Sequence, residues 1–113
     1  MKITLYVISH NEQLILPHLL NYYSTIVDKI VVYDNESTDD TLKILSEYKG
    51  DLEIRTFRTN HQLRDDILSK IKNTCWIGDN SDYCIVTEAD EFIYHPLGLR
   101  NYLEQNLNND FFT

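Results

Sequence analysis

Apolar positions along the chain alternate between two periods. Ile3 to Ile8 is a nearly unbroken β-rich run and reads as a strand buried on both faces. Ser9-His10-Asn11-Glu12 ends it. From about Leu16 to Ser24 the spacing becomes helical, with Leu16, Leu19, Leu20 and Tyr23 on one stripe and Pro17 suited to the first turn. Lys29 to Tyr33 is a second β-rich run, stopped by Asp34-Asn35. Ser37-Thr38-Asp39-Asp40 predicts a helix start with Ser37 or Thr38 as cap and acids in the first turn. Leu42, Leu45 and Tyr48 carry that helix towards a stop at Gly50. Leu52 to Phe57 alternates as a third strand, and Leu63 to Ile71 returns to helical spacing. Tyr83 to Thr87 predicts a fourth strand, Phe92 to Tyr94 a short further one, and Leu97 to Leu107 a last helix.

The order β-α-β-α-β-α-β-α predicts an α/β fold, a mostly parallel sheet with helices on both faces. Ligands of such sheets bind at the C-terminal ends of the strands. The pattern therefore selects Ser9 to Glu12, Asp34 to Ser37, Arg58 to His61 and Glu88 to Glu91. Asp34 and Asp90 are expected on one edge of the sheet, at the ends of neighbouring strands.

Glu88, Asp90 and Glu91 crowd the last of these ends, with small Ala89 between the first two. Like charges so close repel unless a cation joins them. Hard oxygen ligands at this density suit Mn²⁺ or Mg²⁺, which take one or two carboxylates plus substrate phosphates. A solvated acidic turn is the other reading. Asp34 sits where many α/β folds place an acid against a nucleoside. It would serve equally as a turn residue before the second helix. Neither a GxGxxG loop nor a Walker lysine pattern is present, which argues against dinucleotide-binding Rossmann enzymes and P-loop NTPases.

Composition narrows the partners. The chain has 113 residues and a formal net charge of -8, enough for one small domain. No Lys/Arg cluster offers a surface for a nucleic acid polymer. An acidic protein still accepts an anionic nucleotide if a divalent ion lies between them. Cys75 and Cys84 lack metal-ligand spacing and read as free thiols in a reducing cytoplasm. The apolar run at the start is too short for a signal peptide and lacks a cleavage site. No segment approaches the ~20 apolar residues of a membrane span.

Three motifs now stand in order at strand ends: Asn11-Glu12, then Tyr33-Asp34-Asn35-Glu36-Ser37-Thr38-Asp39-Asp40-Thr41, then Glu88-Ala89-Asp90-Glu91-Phe92. Together they resemble the inverting family 2 glycosyltransferases, over nearly the whole chain. The resemblance implies a GT-A fold, here truncated to residues 1–113 as a single N-terminal portion of the domain. It implies a nucleotide-diphosphate sugar donor, first of all a UDP-sugar, and a glycan or other hydroxyl acceptor. It implies Mn²⁺ or Mg²⁺ held by Asp90 and by Glu88, which stands where the family has Asp. His10, Asn11, Glu12, Asp34, Asn35 and Asp65 would line the nucleotide pocket, Asp65 through the Arg64-Asp65 pair. Glu36 replaces a usual glycine. The catalytic base is not named by the resemblance, with Glu91 a remote candidate, and the acceptor half would follow Thr113. The expected place of action is the cytoplasm or the cytoplasmic face of a membrane, with a homo-oligomer allowed. Two other classes remain open: a non-catalytic nucleotide-sugar or partner-binding module, and a response-regulator-like receiver domain. The receiver would need an acidic pair after the first strand and an Asp ending the third, where this chain has only Glu12 and Thr56-Phe57-Arg58.

Overall fold

A computed structural model describes residues 2–59, 65–89 and 98–105. Strands β1 (Ile3–Ser9), β2 (Lys29–Asn35), β3 (Leu52–Phe57) and β4 (Tyr83–Glu88) alternate with helices α1 (Leu16–Tyr23), α2 (Thr41–Ser46), α3 (Asp65–Thr74) and α4 (Leu99–Gln105). The strands form one four-stranded sheet in the order β3-β2-β1-β4. Every pairing is parallel.

The β1 run is buried along its length because both of its faces are covered. Ile3, Leu5 and Val7 face one side with Ile30 and Val32. There they meet Leu16, Leu19, Leu20 and Tyr23 of α1, Leu45 of α2, and Leu99 and Leu103 of α4. The helical stripe read from the α1 sequence is the buried one, residue for residue. On the other face Tyr6 and Val31 pack against Cys75, Ile71 of α3, Cys84 and Val86. Both thiols are free. β3 is one of the two edge strands and the less covered of them, with Ile54 37% exposed.

Helices α1 and α2 carry the chain from β1 outward to β3 across one face. Helix α3 returns it across the other face to β4, on the far side of β1. The strand order therefore reverses between β1 and β4, the place where open α/β sheets leave a crevice for ligands. A receiver-type sheet runs 2-1-3-4-5. Here β1 lies between β2 and β4, and that alternative falls.

Three expectations need correction. Asp34 and Asp90 are expected to end neighbouring strands, but β2, which carries Asp34, and β4 are separated by β1, and Asp90 itself lies outside the described residues. Helix α2 begins at Thr41, not at Ser37 or Thr38, and its first turn carries no acid. Ser37 and Thr38 are drawn instead into hydrogen bonds with Asp34 and Asn11. The helix also ends at Ser46, well before Gly50. The expected strand at Phe92 to Tyr94 lies outside the described residues.

Candidate functional site

Parallel pairing brings all four C-terminal strand ends to one edge. The loops after β1 and β2 are laced together there. The Asp34 carboxylate accepts from the Ser37 amide at 3.0 Å and from the Ser37 hydroxyl at 2.6 Å. The same hydroxyl accepts the Asn11 amide at 2.9 Å. Asn11 Oδ1 in turn accepts the Thr38 amide at 2.7 Å and the Asp39 amide at 3.3 Å. The Glu12 amide donates to Thr41 Oγ1 at 2.9 Å, and the Asp40 amide to Gln13 Oε1 at 3.1 Å. His10 Nδ1 reaches the Asn35 carbonyl. Asp39 accepts the Thr41 amide at 2.9 Å and so caps α2 from one residue before its N-cap position. Partial desolvation raises the Asp39 carboxyl, but the hydrogen bonds from Thr41 and Gln13 outweigh it and hold the group below its ordinary 3.8.

The lacing needs unusual backbone at two points. Asn11 has φ 50° and Glu36 has φ 47°, both in the left-handed region. Asn is among the few side chains that enter it readily. Glu36 occupies the conformation that the glycine of the resembling family would take without strain. Its carboxylate lies 3.5 Å from Arg58 at the end of β3, while Oε2 is buried without a partner among the described residues. Asn35 Nδ2 donates to Thr59 Oγ1 at 3.0 Å and ties in the third strand end.

Register decides which face each residue serves. Ser9 pairs with Asp34, whereas Ile8 pairs with Glu88. Successive residues of β1 point to opposite faces, so Asp34 and Glu88 do as well. Two inter-strand spacings put them roughly 10 Å apart along the edge. On the Asp34 face, Ser9 Oγ and Thr87 Oγ1 are buried and have no hydrogen-bond partner among the described residues. They flank the β1/β4 reversal, since Thr87 pairs with Val7. A buried hydroxyl left unpaired costs about 1–3 kcal/mol, so each of these two atoms favours a ligand or water that pairs with it.

On the opposite face, Glu88 accepts Lys72 Nζ from α3 at 2.9 Å. The chemistry of Glu88 fits a hard divalent cation, as a carboxylate at the end of a strand. The ammonium is the contact such an ion would have to replace. Among the described residues, no group of three or more His, Cys, Asp or Glu is placed to hold a metal. Asp90 and Glu91 lie outside the described residues, as do Arg64, His61 and His95.

The edge thus gathers His10, Asn11, Glu12, Asp34 and Asn35 at one side and Glu88 at the other. Asp65 opens α3. The sequence reading missed Lys72 and the use of Ser37, Asp39 and Thr41 as stitches. Both left a signal. Lys72 adjoins the Leu68–Ile71–Cys75 stripe of α3, on the side turned to the sheet. Five short polar side chains from Ser37 to Thr41 are more than one helix cap requires.

No family model matches the chain. A stretch of 43 residues is 42% identical to an uncharacterized glycosyltransferase of Rickettsia typhi. That stretch is 38% of this chain and 15% of the relative. The chain therefore carries a glycosyltransferase-like region. No described helix is long and apolar enough to cross a membrane.

Proposed function

We propose that the chain is the nucleotide-sugar-binding part of a glycosyltransferase. It would move a sugar from a nucleotide-diphosphate donor, a UDP-sugar first of all, to an acceptor hydroxyl, with Mn²⁺ or Mg²⁺ assisting. The observation that carries this reading is the laced edge. Motif residues from two strand ends form one pre-shaped rim beside the crevice between β1 and β4, and that rim belongs to a chain with a glycosyltransferase-like stretch.

On this reading His10, Asn11, Glu12, Asn35 and Asp65 serve the nucleoside. Asp34 acts chiefly by holding the rim, because both of its oxygens already accept from Ser37. The diphosphate lies towards β4, across the roughly 10 Å that separate the two strand ends. Glu88 and Asp90 would hold the divalent ion, which when bound neutralises the diphosphate as it leaves. The protein's own part is to fix the donor and to set the charge around it.

Calorimetric titration with a panel of nucleotide sugars tests this. A UDP-sugar is expected to bind in Mn²⁺, with binding lost in chelator or in Asp90→Ala. Equal affinity with and without the ion would remove the metal. Failure of every donor to bind would remove the reading, and binding without any sugar transfer by the full-length protein would leave a non-catalytic module.

A further inference from the structure

We propose that β3 is a self-association edge, to which a second copy of this chain adds its own β3 in antiparallel order about a two-fold axis at Ile54. The inference goes beyond the transferase reading and does not depend on it.

Edge strands that stay single are commonly blunted by proline, by a bulge or by a charge turned inward. β3 has no proline or glycine, keeps an unbroken register with β2, and leaves Ile54, Arg55 and Thr56 exposed. The direction of its backbone groups follows from the pairing. The Ile30 amide donates to the Asp51 carbonyl at 2.9 Å, while Ile30 pairs with Leu52. The bonds of one residue in a parallel ladder straddle its partner. Asp51, Glu53 and Arg55 therefore turn their backbone groups to β2, and Leu52, Ile54 and Thr56 turn theirs to the free edge. A joining strand must meet the edge at those three residues.

Two-fold symmetry then selects the register. Centring on Glu53 or on Arg55 sets like charges directly opposite each other, which is unfavourable. Centring on Ile54 sets Glu53 opposite Arg55 of the second copy, and Arg55 opposite its Glu53, with the longest overlap. Ile54 exchanges both backbone hydrogen bonds with its copy, and Leu52 does so with Thr56. Glu53 and Arg55 meet in the non-hydrogen-bonded positions, where Cα atoms approach to about 4.5 Å. The two side chains are 41% and 43% exposed and already pair along their own strand. Pairing across copies closes them into a ring of alternating charge. On the other face the exposed Ile54 side chain gains its own copy as a neighbour. The edge is short, so the dimer is a weak one. Antiparallel order points the two laced edges in opposite directions and leaves both open.

Sedimentation equilibrium of the full chain, from micromolar to near-millimolar protein, tests this. Salt of about 0.15 M screens the repulsion between two chains of net charge -8. The wild type is expected to show a monomer–dimer equilibrium. Ile54→Pro removes an amide that faces away from β2, so it should keep the fold, read by circular dichroism, and weaken the dimer by about tenfold or more. Glu53→Arg and Arg55→Glu should each weaken self-association by about tenfold or more. Mixed together, these two variants should associate at least as tightly as the wild type, because a doubly cationic edge then faces a doubly anionic one. The double variant Glu53→Arg/Arg55→Glu should return to the wild-type affinity. A wild type that stays monomeric overturns the inference, as do assemblies that grow beyond the dimer. So do a dimer unchanged in folded Ile54→Pro and single variants that fail to associate on mixing. If Ile54→Pro does not fold, the charge series decides alone.

Discussion

The laced edge at β1 and β2 and the tip of β4 lie on one side of the same sheet, yet they are built in opposite ways. The first is a set of hydrogen bonds centred on Asp34, a carboxylate only 1% exposed. Its partners come from segments far apart in sequence, so its shape is fixed before any ligand arrives. The second is a half-exposed ion pair between Lys72 and Glu88. Surface pairs of this kind contribute about 0–1 kcal/mol, and salt weakens them. The contrast separates two tasks that a binding edge must perform. Recognition of a rigid group gains from preorganisation, whereas accommodation of charge needs a contact that can be exchanged.

Breaking the laced edge should cost far more than breaking the tip. Asp34→Ala removes a buried acceptor and strands the Ser37 amide and hydroxyl. It should lower stability by about 2–3 kcal/mol, read by urea unfolding. It should also weaken nucleotide binding by roughly ten- to a hundredfold. Wild-type stability in this variant would show that the lacing does not depend on its carboxylate.

Asn11 sharpens the comparison by separating backbone from side chain. Asn11→Ala loses the Oδ1 acceptor and meets strain at positive φ, for a combined loss of about 2 kcal/mol. Asn11→Gly keeps the backbone at ease and should lose only about half of that. Equal losses would mean that the side chain alone matters.

Glu36→Gly runs in the other direction. It relieves the left-handed residue and removes a buried, unpaired carboxylate oxygen, so it should raise stability by roughly 1 kcal/mol in thermal melts. A fall instead would give the contact with Arg58 more weight than its 3.5 Å and exposed guanidinium suggest.

The smallest effects belong to charge. Lys72→Met should change stability by less than about 1 kcal/mol, and that change should vanish in high salt. Asp39 titrates below its ordinary 3.8 in the folded protein. Its contribution is therefore complete above that value and is lost as pH falls through the lower folded value. Asp39→Asn should flatten the acid limb of the stability profile below pH ~4, and an unchanged limb would place the lost protons elsewhere.

Much of this was legible in the chain. β1 and α1 could be read because their periodicity is set by burial, and burial follows the side chains. The start of α2 could not. Local propensity favours Ser37 or Thr38 as its cap, but Asp34 and Asn11 compete for both residues from outside the helix. The strand order was equally hidden, because alternation gives parallel strands without saying that β4 returns to the far side of β1. The opposite facing of Asp34 and Glu88 follows from that register and from nothing local.

The position of β1 also has a consequence for how the protein is made. β1 receives β2 on one edge early, but its other edge waits for β4. Lys2 and Asp82, which open that pairing with a backbone-to-carboxylate bond, are separated by 80 residues. At cellular synthesis rates the delay is roughly 4–16 s. Throughout it, the apolar run Ile3 to Ser9 emerges from the ribosome with an unpaired strand edge, a template for pairing with other chains. Crowded polysomes and slow codons between residues 35 and 83 would lengthen that exposure, and a chaperone that shields the open edge of β1 would act before the β4 side of the binding edge exists.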